Sequence, residues 1–345
     1  MTDLKFKKLP EVWALLEEAA GHNAQVLGVV EALQLPYIKK KIIFNKSASL
    51  PNFLKINPFN TINKKRSDSL NSGYPDIIIS CGRKLAPIAL QIKKLAKKQG
   101  KKVFAVHILW PGLAFRKFDM LAIPSHDNII WPLNKNKKIF KIIGAPNRIN
   151  KEFLLQEYKI WSRTIGEMPS PRIAVLIGGN SKKTKFTQSH AKDLIENLVN
   201  LTSSLKASLM VTNSRRTDDE VSNYIEENLR IKIGRHFYFH NVKKNKANPY
   251  FAYLQLADII ISTGDSISML SEAATSGKPL YIYSPEGNAP KKHHKFQNDI
   301  INLGFAKEFN RSEVSYIIKN GLNKVTGQKN LNTAETIAKE ILKRV

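Results

Sequence analysis

The sequence carries one cysteine, Cys81, which excludes an internal disulfide and suits a reducing compartment. No apolar run approaches the ~20 residues that a membrane-spanning helix needs, and no signal-peptide core is visible near Met1, so a cytoplasmic location is expected. Arginine is scarce: it supplies 12 of the 55 basic residues, against 43 lysines. Acidic residues number only 28, which leaves a formal charge of +27. The lysines spread along the whole chain beside abundant Ile and Asn, a pattern of coding bias rather than of a focused patch. Helix-turn-helix, RNP and zinc-finger spacings are all missing, which argues against nucleic acid as a partner. What remains for so basic a chain is an anionic ligand, or peripheral binding to an anionic surface such as the inner leaflet of the plasma membrane. Arg is the better forked ligand for phosphate, so the few arginines become informative.

A chain of 345 residues can form two domains with full cores. The segment that organises the rest is 257–284. Asp258–Ser262 is a β-branched run that predicts a buried strand, Thr263–Ser266 a polar turn, and Ile267–Thr275 a helix closed by Gly277 and Pro279. Leu280–Tyr283 is a second strand. In a parallel sheet this unit places the polar turn at the carboxyl edge, where ligands collect. Asp265 is expected to cap the helix. Ser268, Ser271 and Glu272 share one helical face, with Ser266 in the turn; they are expected to meet a ligand's sugar hydroxyls, unless the face is simply solvated.

Similar strand-then-turn units recur along the chain and predict a doubly wound α/β architecture. Val12–Leu16 leads into Gly21-His22, with His22 either a general base or a hydrogen-bonding loop residue. Ile77–Ser80 leads into Cys81-Gly82-Arg83; Cys81 has no activating neighbour in the sequence and reads as a buried structural thiol. Met120–Ile123 ends near Asp127. After Met168-Pro169-Ser170-Pro171, read as a linker, Ile173–Ile177 is followed by Gly178, Gly179, Asn180, Ser181 and Lys182. Glycines there let backbone amides curl toward an anion, although the pattern is neither a Walker loop nor G-x-G-x-x-G. Leu209–Thr212 ends at Arg215 and Arg216. Thr217 with Glu220 three later reads as a capping box rather than a metal-binding pair. The His293-His294 pair lacks zinc-ligand spacing, so no metal is expected.

Gly21-His22-Asn23-Ala24-Gln25, Ser80-Cys81-Gly82-Arg83, Leu176 to Lys182, Thr212 to Thr217 and Asp265 to Ala273 together resemble the motifs of the "elongated mitochondria" fission-factor family, which includes plant and bacterial proteins. The resemblance runs in order from about Val12 to Tyr283; Glu18-Ala19-Ala20 departs from the family's usual lead into Ala-Gly-His. More distantly, the two-domain pattern and Ser271-Glu272 before Gly277-x-Pro279 resemble GT-B glycosyltransferases, in which a Glu at the position of Glu272 binds the donor ribose.

The resemblance implies two Rossmann-like domains with a cleft between them, over residues 1–167 and 168–328, and a final helix, 329–345, returning to the first domain. It also implies a metal-independent glycosyltransferase-like protein with no cofactor beyond a nucleoside-diphosphate sugar as donor substrate. In that reading Gly178 to Lys182, Arg215, Arg216, Ser266, Ser268, Ser271 and Glu272 hold the donor, His22 is the base with Asp127 behind it, and Gly21 and Arg83 lie nearby. The competing reading keeps the fold as a non-catalytic, membrane-associated adaptor related to the plant fission factors.

Overall fold

A computed structural model describes residues 9–49, 57–127, 136–181, 184–245, 247–322, 325 and 329–345. The chain divides into two units, Met1–Arg148 with Asn332–Val345, and Ile149–Leu331.

Unit 1 contains six strands, β1 (Val12–Leu16), β2 (Tyr37–Lys41), β3 (Ile77–Cys81), β4 (Phe104–Ile108), β5 (Met120–Pro124) and β6 (Ile139–Ile142). They form one parallel sheet in the order β2-β1-β3-β4-β5-β6. Residues 12–15 of β1, and all of β3 and β5, are buried on both faces, which explains their continuous apolar runs. Helix α1 (Ala20–Leu33) follows β1, and α2 (Leu85–Lys98) follows β3. The terminal helix (Thr333–Arg344) presses Ile337, Ala338 and Ile341 into the cluster formed by Val26, Val29 and Val30 of α1. The edge strand β2 had no clear sequence signal. Its Tyr-Ile-Lys-Lys-Lys is half polar, as suits a strand with one neighbour, where lysines discourage further pairing.

Unit 2 begins with α3 (Lys151–Ile165) and then β7 (Arg172–Leu176). Its remaining elements are α4 (Gln188–Leu205), β8 (Ser208–Thr212), α5 (Asp219–Ile233), β9 (Phe237–His240), α6 (Tyr250–Leu256), β10 (Ile259–Thr263), α7 (Ile267–Thr275), β11 (Leu280–Tyr283), α8 (Lys291–Asn302), β12 (Lys307–Glu308) and α9 (Arg311–Asn320). The parallel sheet runs β12-β11-β10-β7-β8-β9. The division falls after Arg148, not at the Met168–Pro171 segment suggested by proline content. The reason is packing: α3 lies on α6, with Phe153 edge-on to Phe251 at 4.9 Å, so it belongs to unit 2. Among the described residues no helix is long and apolar enough to cross a membrane.

Strand order fixes where each unit can hold a ligand. Parallel strands leave a crevice where the chain reverses its direction of travel across the sheet. In unit 1 that point lies between β1 and β3; in unit 2 it lies between β7 and β10. The turns after these four strands carry most of the polar motifs that stand out in the sequence.

Candidate functional site

In unit 2 the turns after β7, β8 and β10 are tied together by one buried carboxylate, Asp265, which is 1% exposed. Its Oδ2 accepts the Gly179 N–H at 2.7 Å and lies 3.3 Å from the Arg216 guanidinium; its Oδ1 accepts the Thr263 hydroxyl at 2.6 Å. A side chain at Gly178 would collide with this carboxylate, and one at Gly179 would collide with the Arg216–Thr217 backbone. Both glycines are thus required by close approach. The Thr217 hydroxyl donates to the Gly178 carbonyl, and Asn180 N–H donates to Arg216 O at 2.9 Å. Helix α8, which follows the turn after β11, brings His293 close to Asp265. Burial lowers the His293 pKa; its proximity to Asp265 opposes this, and Lys292 and Arg216 add to it.

Several expectations change with this geometry. Asp265 is not the cap of α7. Ser266 is, accepting Met269 N–H at 3.4 Å, while Asp265 faces inward to the glycine turn. Thr217 is not part of a capping box: Asp218 caps α5 by accepting Glu220 N–H, and Thr217 is committed to Gly178. The amides expected to cradle an anion are spoken for. Gly178 N–H donates to Thr263 Oγ1, Gly179 to Asp265, Asn180 to Arg216 O and Ser181 to Thr184 O. The turn therefore carries Asp265 and positions its neighbours, and exposed cations are left to meet phosphate. Arg215 and Arg216 both stand exposed at the end of β8. Lys182 lies outside the described residues.

The hydroxyl face of α7 is also rearranged. Ser268 is exposed at the helix start, but Ser271 is buried and donates back to Ile267 O at 2.7 Å. Glu272 is partly buried and accepts the Tyr250 hydroxyl at 2.7 Å from the neighbouring α6. Burial pushes its pKa up to about 7, and the bond from Tyr250 pulls the other way. Tyr250 itself is raised well above its usual range by burial and by the adjacent Glu272. Nothing in the sequence pairs Tyr250 with Glu272, because the two are 22 residues apart and on different helices.

In unit 1, Gly21 and His22 fall in the first turn of α1 rather than in the loop before it. The His22 Nδ1 lies 2.7 Å from Glu17 Oε1, and Glu17 is nearly buried. Asn23 locks Glu17 in place, accepting its N–H at 2.9 Å and donating to its carbonyl at 2.6 Å. The carboxylate that orients His22 is therefore Glu17 and not Asp127, which sits after β5. A histidine held by a carboxylate at one nitrogen has the other available as a base. Gly82, at φ +81°, gives the His22 ring its room; an added Cβ would stand 2.5 Å from the ring. Arg83 is exposed beside it. Beneath lies His107, fully buried and 2.8 Å from Ser80 Oγ. Desolvation, then the nearby His22, lowers its pKa to about 3, which marks it as a neutral core residue. Cys81 is buried, and burial followed by Glu17 raises its thiol far above the usual range, so it is inert.

Two parallel six-stranded sheets, each with its polar turns at the reversal of strand order, define an α/β protein of GT-B-like fold. The UDP-GlcNAc 2-epimerase of Methanocaldococcus jannaschii superposes with a TM-score of 0.60 over 96% of this chain and 99% of that one, at 14% identity. The Neisseria meningitidis UDP-GlcNAc 2-epimerase, solved bound to UDP-GlcNAc, gives 0.58 over 97% and 99% at 13% identity. Within this class the chain belongs to the mitochondrial fission ELM1 family, whose model matches residues 20–345. It is 30% identical over 352 residues to the uncharacterized protein RP120 of Rickettsia prowazekii, covering 91% of this chain and 96% of that protein. It is 26% identical over 253 residues to the mitochondrial fission protein ELM1 of Arabidopsis thaliana, a match spanning 68% of this chain and 57% of the plant protein.

Proposed function

We propose that the chain is a glycosyltransferase-like protein whose unit 2 binds a nucleoside-diphosphate sugar, without a divalent metal, at the carboxyl edge of β7, β8 and β10. The observation that carries this reading is the convergence of the turns at the strand-order reversal on Asp265, with Arg215 and Arg216 exposed beside them. Guanidinium groups would meet the diphosphate. Ser266 and Ser268 stand at the start of α7, and Glu272 carries a carboxyl suited to a ribose hydroxyl. A neighbour of the same fold binds UDP-GlcNAc, which supports the ligand class. In unit 1 the Glu17–His22 pair has the chemistry of a general base, with Arg83 and Asp127 near the ends of the same sheet.

The test is calorimetric titration with a panel of nucleoside diphosphates in the presence of a chelator. Binding to the wild-type chain is expected, with Arg215→Ala weakening it about tenfold through loss of one charged hydrogen bond from an exposed site. Glu272→Ala should weaken nucleoside diphosphate and leave inorganic pyrophosphate nearly unaffected. Absence of nucleotide binding at millimolar concentration overturns the reading.

The internal use of all four amides in the Gly178–Ser181 turn favours a second reading, a retained fold that serves as a membrane-associated adaptor. Sedimentation with anionic vesicles at low salt, fading as salt rises, is its expected result, since lysine contacts of about 1 kcal/mol each are screened. Equal sedimentation with neutral vesicles would count against it.

A further inference from the structure

Building on the membrane-associated reading above, we infer that unit 1 meets an anionic lipid bilayer with the amino edge of its sheet, the edge opposite Gly21, His22 and Arg83. Folding concentrates what the sequence spreads out. Unit 1 holds 29 basic residues against 11 acidic ones, while unit 2 holds 26 against 17. The smaller unit thus carries two thirds of the net charge.

Because all six strands of unit 1 run parallel, the segments that enter them share one edge, about 24 Å wide at the usual strand spacing. Lys97 and Lys98 end α2, Lys102 precedes β4, Lys117 precedes β5 and Lys137 precedes β6. Lys343 lies in the last turn of the terminal helix, and Arg344 beside it donates to Lys137 O at 3.0 Å, which fixes that helix end at the same edge. All six lysines are exposed, and none pairs with a carboxylate among the described residues. The carboxylates of this edge are already engaged. Asp76 faces Lys101 at 3.2 Å, Asp119 faces Lys93 at 2.5 Å, Glu340 faces Arg344 at 2.6 Å, and Glu11 accepts Trp13 Nε1 at 3.2 Å. The six lysines therefore make a positive field that the unit itself does not neutralise.

A second, independent feature selects a bilayer among polyanions. Of the four exposed large apolar residues described in unit 1, three stand at this edge: Leu9 ahead of β1, and Leu342 and Val345 at the end of the terminal helix. Lysine stems lying around exposed aliphatic tips suit a headgroup region, where charge and hydrocarbon are met together. A nucleic acid would call for arginine forks and exposed rings on which bases stack. Here Arg344 is held by Glu340, and no described aromatic ring of unit 1 is exposed. The Glu17–His22 pair lies at the far end of the strands, so the bilayer serves as a tether and not as the source of a substrate.

Binding is measured with phosphatidylcholine vesicles containing about one third phosphatidylserine, at physiological salt. Two variants carry the same loss of charge. One combines Lys97→Gln, Lys98→Gln, Lys117→Gln and Lys137→Gln at the edge; the other combines Lys159→Gln, Lys192→Gln, Lys232→Gln and Lys319→Gln on unit 2. All eight positions are exposed, so the substitutions remove charge without disturbing a core. A lysine at an anionic surface is worth roughly fivefold in partitioning, so the edge variant is expected to lose about a hundredfold or more and the unit 2 variant less than about threefold. A polarity-sensitive fluorophore on Leu342→Cys should shift to the blue with these vesicles and not with phosphatidylcholine alone; Cys81 is buried and takes no label. Equal losses in the two variants would keep membrane binding and overturn this surface, whereas no vesicle binding by the wild type would overturn both. An unshifted fluorophore, or an edge variant that loses binding to an RNA duplex and keeps it to vesicles, would also overturn the bilayer as the partner of this edge.

Discussion

Replacing Asp265 with alanine is expected to lower the stability of unit 2 by about 2–5 kcal/mol, because two buried donors lose their acceptor. The loss has identifiable parts. Gly179 N–H and the Thr263 hydroxyl lose their acceptor inside the protein, each costing about 1–3 kcal/mol when nothing replaces it. Arg216 is half exposed and loses only a partner it can replace with water. Asp265→Asn should cost less than alanine, yet more than a surface change, because its amide nitrogen would set a donor against Gly179 N–H or the Thr263 hydroxyl. A chain of two units need not unfold in one step, so the readout should be local. Hydrogen exchange at Gly178 and Gly179, whose acceptors are Thr263 and Asp265, reports this turn directly. Protection at these amides unchanged in Asp265→Ala, with a denaturation shift under about 1 kcal/mol, would show that the network is not what holds the turns.

How far the sequence reveals this arrangement depends on the range of the interaction. Local signals read well. Val12–Leu16, Leu209–Thr212 and Leu280–Tyr283 are apolar runs bounded by turn residues; the first and last are strands over those bounds, and the second is a strand that starts one residue earlier, at Ser208. Ile267–Thr275 is a helix with its expected limits, and the glycines after β7 mark a turn where backbone comes close to other groups. Edge strands read poorly. In β2 and β12 only one side meets a neighbour, so polar residues are tolerated and the apolar signal fades.

The roles of polar side chains were the least legible, because a carboxylate near a helix start has several acceptable partners. Asp265 has the composition of a cap and the position of a hub; only the packing of β7 beside β10 decides between them. Glu17 at the end of an apolar run gave no hint of its bond to His22, since the helix begins between them and brings residue 22 back over residue 17. The split between units followed the same logic. Prolines mark where a chain can turn, whereas the side on which α3 packs is set by Phe153 meeting Phe251, almost 100 residues later.

The Glu272 carboxyl is expected to withdraw roughly 2–3 kcal/mol of stability as pH rises from about 4.5 to about 7, a contribution separable from those of the other titrating groups. The sign follows from the direction of the shift. Burial pushes the folded-state pKa of Glu272 up to about 7, above its ordinary value of 4.5. Between these values the folded protein keeps a proton that the unfolded chain has released, so raising the pH favours unfolding. Below the lower value both states hold the proton, and above the upper one both have lost it, so the slope from this group vanishes at each end. Glu272→Gln isolates the effect. The amide is neutral at every pH and its oxygen can still accept the Tyr250 hydroxyl, while all other titrating groups stay in place. Urea denaturation of both proteins across this window should give curves that converge at low pH and separate toward neutrality, with the wild type losing stability relative to the variant. Parallel curves would mean that the carboxyl titrates normally and is hydrated. The same proton bears on ligand binding: a carboxyl that ionises near 7 becomes a strong acceptor for ribose hydroxyls only above that pH, so nucleotide affinity should tighten through neutrality more steeply in the wild type than in Glu272→Gln, where only the ligand's own phosphate titrates.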